Sequence, residues 1–327
     1  GVAVSNSLSG PWERMDQPLI EPSGPITTLT VNPAIDRGKD GKYYLIVKGD
    51  KPNETRFIRN QAIAISDSPT GPFEMQSKPV IDYLAKMTGK KVEFYMPTSY
   101  STVVEALIGK WADVAVLGPY SYVIANSKDP DVQVFATYAK KPGYIQEEGP
   151  GYKAALITKK GSKFTTIESI KGSVIGLTDP ASTSGNLVPR VVFTKVINQP
   201  LEDYFKKIVY TGGHDLSTMA VYEGKVDAAF VATHRFDNVI ERGMVKKEDF
   251  NYLWFSPAVP QDPFVYRGAL CPEIKQKIEE TFLTLQNEPD CAAFLKNVKS
   301  NKFVEMTSAD YDVIRDLKKA KDAAKKN

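Results

Sequence analysis

The sequence contains very little cysteine and histidine, and this scarcity argues against a disulfide bond and against a structural metal site. Its two cysteines, Cys271 and Cys291, bracket the helical pattern EIKQKIEETFLTL. A straight helix of that length is on the order of 20 Å long, so it would hold the two sulfurs too far apart for a disulfide. We therefore expect two free thiols. The two histidines are His214 and His234, and without a His/Cys cluster no structural zinc or other metal site is predicted.

The chain also has little net charge and no long apolar run. Its 42 Lys and Arg residues against 39 Asp and Glu give a formal net charge of +3, too small to indicate a nucleic-acid or acidic-membrane partner. No apolar run reaches the roughly 20 residues that a membrane-spanning helix needs. The printed sequence starts with neither an initiator Met nor a signal peptide, so its residues do not indicate where the protein is localised.

An internal repeat marks the first eighty residues. The segment AVSNSLSGPWERMDQPLI from Ala3 to Ile20 returns as AISDSPTGPFEMQSKPVI from Ala64 to Ile81. Between the copies, TTLTVNPAI, KYYLIVKG and QAIAIS are short strand-like runs, with a hairpin turn predicted at Asp40-Gly41. This spacing predicts consecutive four-stranded β units.

These phrases resemble the blades of five-bladed propeller glycosidases over residues 1–82. Such enzymes cleave glycosidic bonds with two carboxylates placed on different blades. One or two blades do not complete that ring, so Asp36 and Asp40 are interpreted as turn and surface carboxylates. We expect no hydrolase activity, although a glycoside hydrolase fragment stays open as the alternative function.

From Pro79 onward the pattern alternates between helix and strand. Val80, Tyr83, Leu84 and Met87 lie on one face of a helix over 79–88 that Gly89 ends. A strand VEFYM, a helix STVVEALIGKW and strands DVAVLG, AALITK and SVIGLT follow. The alternation predicts an α/β fold with a largely parallel sheet, whose ligand lies where strands lead into helices.

Four such strand-to-helix junctions carry many hydrogen-bond donors. The sharpest is the run Ser182, Thr183 and Ser184 after the strand SVIGLT. Helix N-termini with free N–H groups and hydroxyls suit an oxyanion, whereas simple N-capping accounts for one hydroxyl and not three. The other junctions contain residues 98–102, residues 118–121, and His214 with His234. Together they favour a receptor for a small anion.

The chain from Pro79 to its end resembles the periplasmic substrate-binding proteins of phosphonate, phosphite and phosphate ABC importers. The matching phrases are YSTVVEALIGKWADVAVLGPYSYV, DPASTSGNLVPR, GGHDLSTMAVYEGKVDAAFV and SPAVPQDPFVYR. The resemblance implies a two-lobed type II binding-protein fold that closes over its ligand, without catalysis or a cofactor. It assigns ligand contacts to two aromatic residues, three hydroxyls and a histidine: Tyr100, Tyr120, Ser182, Thr183, Ser184 and His214.

One departure from the family pattern narrows the ligand. Relatives that take aminoalkylphosphonates hold the ammonium group with two acidic residues; Asp262 keeps one of them, while His234 stands at the other. A buried ammonium facing His234 would lack charge compensation. We therefore expect a ligand without an amino group: phosphite, methylphosphonate or phosphate. Asp262 then either accepts a hydrogen bond from a protonated ligand oxygen or braces the loop between the lobes.

The resemblance also predicts the domains and partners. We expect a propeller-like fragment over 1–78, a first lobe from 79–160 and 255–327 that lacks its first strand, and a second lobe over 161–254. The join lies within Pro79 to Leu84, where KPVIDYL fits both families, and indicates a chimera; a natural two-domain protein and a non-functional fusion are the alternatives. The expected partners are an ABC permease and its ATPase, with a monomeric protein that is periplasmic or lipoprotein-anchored at the cell surface.

Overall fold

The computed structural model describes residues 79–94 and 99–324 in full, the backbone of residue 78, and six strands before it. The strands are β1 Ala3–Val4, β2 Glu13–Arg14, β3 Leu29–Arg37, β4 Tyr43–Asn53, β5 Arg56–Ser66, β6 Glu74–Met75, β7 Val114–Val116, β8 Val132–Lys140, β9 Gly151–Tyr152, β10 Ala154–Lys159, β11 Val174–Leu177, β12 Lys207–Tyr210, β13 Ala228–Ala232, β14 Phe250–Phe255, β15 Val259–Pro260, β16 Pro263–Arg267 and β17 Ser300–Glu305. The α-helices are α1 Lys78–Thr88, α2 Tyr100–Ile108, α3 Pro119–Lys128, α4 Thr194–Ile197, α5 Leu201–Tyr204, α6 His214–Tyr222, α7 Thr233–Glu241, α8 Pro272–Leu283, α9 Ala292–Asn297 and α10 Asp312–Ala324.

The chain divides into two compact units, residues 1–96 and 97–327. In the first, β3, β4, β5 and β6 form an antiparallel sheet in sequence order, which confirms the three predicted strand runs. The predicted turn at Asp40-Gly41 lies outside the described residues. The propeller itself stays a prediction.

The helix predicted over 79–88 is confirmed as α1. Val80, Leu84 and Thr88 are its buried positions, at the four-residue spacing that places side chains on one face. Gly89 ends the helix at φ +64°, a left-handed conformation that glycine adopts without steric penalty. Its N–H donates to the Ala85 carbonyl at 2.9 Å.

The strand predicted at VEFYM is wrong over its described part, because residues 91–94 form no regular structure. Alternating side chains are not sufficient for a strand, since the backbone also needs a neighbour to hydrogen-bond. Among the strand pairings of the described chain, none includes this segment.

The second unit is built on two sheets, and only one of them contains parallel pairs. The five-stranded sheet has the order β12-β11-β13-β10-β14, with β11 parallel to β12 and β13 and β10 antiparallel to both its neighbours. The strand β10, which the sequence assigned to the first lobe, thus lies in the sheet that holds most of the predicted second lobe.

The prediction of a largely parallel sheet is wrong for the four-stranded sheet, which has the order β17-β8-β16-β7. All three of its pairings are antiparallel. The strand β16 reaches it directly from the segment after β14, without a crossover helix, and inserts between β7 and β8. Because β14 belongs to the other sheet, the direction of β16 depends on where the chain re-enters this sheet and not on a local β-α-β unit.

Two π-helical turns, Thr183–Leu187 and Pro189–Phe193, follow β11. Within the first, the Leu187 N–H reaches back five residues to the Ser182 carbonyl at 3.1 Å. Gly185 is essential to its packing, because a Cβ added there would lie 2.1 Å from the Thr178 hydroxyl oxygen. Wide turns of this type are rare and occur frequently at functional sites.

Both cysteines are free, Cys271 exposed and Cys291 buried, as predicted from the helix between them. Within residues 78–94 and 99–324, no group of three or more His, Cys, Asp or Glu residues is arranged to hold a metal ion. Within the part of the chain that the structure describes, no helix is both long and apolar enough to cross a membrane.

Candidate ligand-binding site

All of the predicted site residues except Asp262, which directly precedes β16, lie at the starts of helical segments. Tyr100 begins α2, whose N-cap Ser99 accepts a hydrogen bond from the Thr102 N–H. Further segments begin at Pro119, Thr183, His214 and Thr233. Helix starts leave backbone N–H groups without intrahelical acceptors and carry a partial positive charge. The chain therefore collects hydrogen-bond donors here without adding net charge.

Ser182, Thr183, Ser184 and His214 form what we call the hydroxyl cluster. All four residues are buried. The Ser182 side chain caps the π-helical turn by accepting from the Gly185 N–H at 3.1 Å. The Thr183 hydroxyl oxygen accepts from the Tyr120 N–H at 2.8 Å, which links the π-helical turn to the start of α3. The Ser182 and Thr183 hydroxyls thus have different structural roles within the same turn.

His214 joins this cluster as a neutral donor. Its Nδ1 accepts from the Ala232 N–H at 3.1 Å and lies 3.1 Å from the Thr178 hydroxyl. Since a backbone N–H can only donate, the imidazole proton belongs on Nε2, which lies 3.5 Å from the Ser184 hydroxyl. Burial, together with the nearby His234 and Arg235, lowers the pKa of His214 to about 3. At neutral pH the ring directs an uncharged N–H toward Ser184.

His234, Arg235 and Asp262 form what we call the ionic cluster. One Asp262 oxygen, Oδ2, accepts from Arg235 Nη2 at 2.9 Å and lies 3.7 Å from His234 Nε2, beyond hydrogen-bond length. Burial favours the neutral acid, but His234 and the Arg235 guanidinium outweigh it and hold the pKa of Asp262 below its ordinary value. Burial lowers the pKa of His234 to about 4. At neutral pH an ionised carboxylate therefore pairs with arginine beside a neutral imidazole.

Several polar atoms next to Asp262 are buried without a partner. They are both ring nitrogens of His234 and the Gln261 side-chain nitrogen Nε2. Buried polar groups without hydrogen bonds are rare in folded proteins and usually indicate a missing partner. Gln261 Oε1, by contrast, accepts from the Asp262 N–H at 3.1 Å. The ionic cluster therefore offers free hydrogen-bonding positions that a ligand or water would fill.

Two tyrosines lie between the clusters. Burial raises the pKa of Tyr100 to about 12. Asp262 contributes to this rise, whereas Arg235 and the Ser182 hydroxyl oppose it. Burial raises the pKa of Tyr152 well above its ordinary value, with a further rise from Asp262 that Thr183 and Ser184 oppose. The Tyr152 ring packs edge-on against His234, with 4.8 Å between ring centroids. Both phenols thus remain protonated donors at neutral pH.

Tyr120 does not present its ring to the hydroxyl cluster. Its side chain belongs to the apolar core, and its hydroxyl accepts from Lys321 Nζ at 3.2 Å in α10. The residue reaches the cluster through its backbone N–H on Thr183. The structure thus brings together seven of the eight predicted side chains and directs the Tyr120 side chain elsewhere.

Sequence reasoning missed Arg235, Tyr152 and Gln261. Arg235 directly follows His234 and Gln261 directly precedes Asp262, so proximity along the chain to a predicted residue was an available signal. Tyr152 has no such signal. It lies against His234 in the ionic cluster because β9 pairs with β15, which ends shortly before Asp262.

Comparison with known proteins decides the family. Residues 65–311 match the model of the family described as ABC transporter, phosphonate, periplasmic substrate-binding protein. The chain belongs to this family. Its members are solute-binding proteins of ABC importers and not enzymes, so this phosphonate-family protein is the periplasmic substrate-binding component of an importer of phosphonate or phosphate.

Two curated relatives are similar over most of the chain. The Phosphate-import protein PhnD of Mycolicibacterium smegmatis is 28% identical over 257 residues, which cover 72% of this chain and 78% of the relative. The Phosphonates-binding periplasmic protein of Escherichia coli K12 is 30% identical over 228 residues, 68% of this chain and 65% of the relative. Their names include both phosphate and phosphonate, so relationship alone leaves the ligand undecided.

Two solved structures share the fold. A binding-protein component of a phosphonate ABC transporter from Pseudomonas aeruginosa superposes with a TM-score of 0.68 at 25% identity, covering 76% of this chain and 81% of that one. PhnD1 of Prochlorococcus marinus, solved in complex with methylphosphonate, superposes with a TM-score of 0.65 at 19% identity, covering 74% and 90%. Both comparisons support the mixed α/β architecture.

Proposed function

We propose that this importer component binds a small phosphorus oxyanion without an amino group: phosphite, methylphosphonate or phosphate. The hydroxyl cluster is the observation that carries this proposal. Its serine and threonine hydroxyls and the His214 Nε2–H supply uncharged donors, and hydrogen bonds from neutral donors to an anion are stronger than those between neutral groups. The Tyr100 and Tyr152 phenols add two further donors.

The proposal includes closure of two lobes over the ligand. We define the first lobe by the four-stranded sheet and the second by the five-stranded sheet. Two hydrogen bonds join them beside the hydroxyl cluster: Tyr120 N–H to the Thr183 hydroxyl oxygen at 2.8 Å, and the Ser121 hydroxyl to the Ala181 carbonyl at 2.9 Å. Hinge closure of this kind is common in periplasmic binding proteins. It removes water and so strengthens the polar contacts to the anion.

Calorimetric titration of the purified chain tests the ligand. We expect saturable binding of one molecule of phosphite, methylphosphonate or phosphate per chain, with weaker binding of 2-aminoethylphosphonate and no turnover. Ligand that binds only the folded state also raises the melting temperature as its concentration increases. A cooperative melt that none of the four ligands shifts would contradict the proposal.

The remaining partners follow from the family. We propose that the closed, liganded form is recognised by an ABC permease with its ATPase, that the protein acts as a monomer, and that it works in the periplasm or anchored to the cell surface as a lipoprotein. Sedimentation of the liganded protein checks the monomer. A stable dimer whose dissociation abolishes binding would contradict it.

We also propose that residues 1–78 derive from a propeller glycosidase and lack activity. The antiparallel order of β3, β4, β5 and β6 supports this, since such a meander is the unit of a propeller blade. An aryl-glycoside panel tests it. Hydrolysis that survives loss of the hydroxyl cluster would contradict the proposed inactivity.

A further inference from the structure

The Asp262 carboxylate already has a cationic partner within the chain. Asp262 is 7% exposed, and Arg235 Nη2 donates to its Oδ2 at 2.9 Å. Arg235 lies in the first turn of α7, whereas Asp262 directly precedes β16. The ion pair therefore joins the two sides of the site.

Arg235 differs from an arginine that only braces a core. Its side chain is 47% exposed, while the carboxylate it contacts is buried. A guanidinium has five N–H donors in a planar fork, so this accessible side chain has further donors besides the Nη2 bond to Asp262. A cation that entered from the ligand side would meet Asp262 where the guanidinium now lies.

We infer that Arg235 is a specificity-determining residue: its guanidinium occupies the place at Asp262 that a ligand ammonium group would otherwise take. The site then rejects aminoalkylphosphonates through a built-in counter-charge and not only through the histidine at position 234. This inference deepens the proposed function and rests on it.

The physical reason is charge balance at a buried carboxylate. An ionised carboxylate that is removed from water requires a cation or hydrogen-bond donors. With Arg235 present, an incoming ammonium group has to displace the guanidinium and leave it beside a second cation. With Arg235 absent, the same ammonium supplies the missing charge, so ligand preference is expected to reverse.

His234 is the internal competitor for this role. Its Nε2 lies 3.7 Å from the same Asp262 oxygen, and the Arg235 charge is one of the causes that keep the pKa of this ring low. Loss of Arg235 would therefore favour protonation of His234, which could replace the cation. A variant that also carries His234→Gln removes this possibility.

Calorimetry with methylphosphonate and 2-aminoethylphosphonate tests the inference on the full chain. We expect the unmodified protein to prefer methylphosphonate by about tenfold or more, a difference of about 1.4 kcal/mol. We expect Arg235→Gln/His234→Gln to reverse the preference, and Arg235→Gln to move it in the same direction. Arg235→Lys keeps the cation and should keep the original preference. Arg242→Gln, an exposed position after the same helix, is the matched control.

The remaining outcomes distinguish failure of the inference about Arg235 from failure of the proposed function. Equal weakening of both ligands in Arg235→Gln/His234→Gln would overturn the inference, as would a preference of the unmodified protein for 2-aminoethylphosphonate. Binding of neither ligand, nor of phosphite or phosphate, by the unmodified protein would instead contradict the proposed function. If the arginine variants do not melt cooperatively, Arg235→Gln/Asp262→Asn removes both charges. It should bind methylphosphonate within about threefold of the unmodified protein without gaining affinity for the amine, and loss of methylphosphonate binding would overturn the inference.

Discussion

The two histidines of the site are both buried and neutral, yet their surroundings differ. His214 Nδ1 accepts from a backbone N–H, and its Nε2 faces Ser184. Both nitrogens of His234 lack a hydrogen-bond partner. The hydroxyl cluster is thus held in place by the fold itself, whereas the ionic cluster keeps unsatisfied groups. Under the proposed function, the hydroxyl cluster would hold the constant oxyanion and the ionic cluster would face the group that varies between ligands.

The largest expected effect is a loss of folding stability at acid pH. It arises from His214 in the hydroxyl cluster and His234 in the ionic cluster. Both folded-state pKa values are lowered, His214 to about 3 and His234 to about 4. Below about pH 6.5 the unfolded chain binds protons that the folded chain does not, so stability falls as the pH falls. The loss is on the order of 1 to 2 kcal/mol per histidine between pH 7 and 5.

Thermal melts across pH 7 to 5 measure this loss. His214→Asn and His234→Gln should each flatten the dependence by about half. This window lies above the ordinary pKa of aspartic acid, so Asp262 does not contribute to it. A dependence that neither substitution changes would show that other groups dominate.

The next prediction concerns the stability of the tightly packed turn beneath the hydroxyl cluster. Gly185→Ala places a methyl carbon 2.1 Å from the Thr178 hydroxyl oxygen, so the π-helical turn beneath the hydroxyl cluster has to move. We expect a loss of about 1 to 3 kcal/mol of unfolding free energy, as overpacked sites show. Chemical denaturation measures it. Gly118→Ala is the matched control, because its added carbon would come no closer than 3.6 Å to a neighbour; equal losses would contradict the packing argument.

A third prediction concerns affinity at the hydroxyl cluster. Ser184→Ala removes the hydroxyl that faces His214, and a hydrogen bond to a charged ligand contributes about 1.5 to 3 kcal/mol. We expect methylphosphonate to bind about tenfold more weakly or worse, measured by calorimetry. Ser127→Ala, which removes a hydroxyl bonded to the Val123 carbonyl in α3, should leave the affinity unchanged. A Ser184→Ala protein of full affinity would place the oxyanion elsewhere.

The smallest effect distinguishes the two tyrosines that the family pattern treats alike. Tyr120→Phe removes a hydroxyl that contacts Lys321, so we expect ligand affinity to stay within about twofold. Tyr100→Phe removes a phenol next to Ser182 and should weaken binding by several fold, since a single hydrogen bond contributes about 0.5 to 1.5 kcal/mol. Titration of both variants side by side decides. A larger loss in Tyr120→Phe would show that its side chain reaches the ligand.

The sequence by itself determined most of the local elements and the family to which the chain belongs. Helical spacing from Val80 to Met87 with Gly89 after it predicted α1, because burial of one helix face and a left-handed stop are properties of neighbouring residues. The run Ser182, Thr183 and Ser184 predicted a donor-rich turn for the same reason. Strand direction in the four-stranded sheet was not predictable, because it depends on where β16 returns.

Only the tertiary structure decided how the site is divided. The ion pair of Arg235 with Asp262, the arrival of Tyr152 beside Thr183, and the turn of the Tyr120 ring toward Lys321 join residues far apart in the chain. Spacing along one helix or strand carries no information about such contacts. Whether a buried charge is satisfied by the protein or by its ligand depends on which segments the fold brings within about 3 Å of it, a typical hydrogen-bond length.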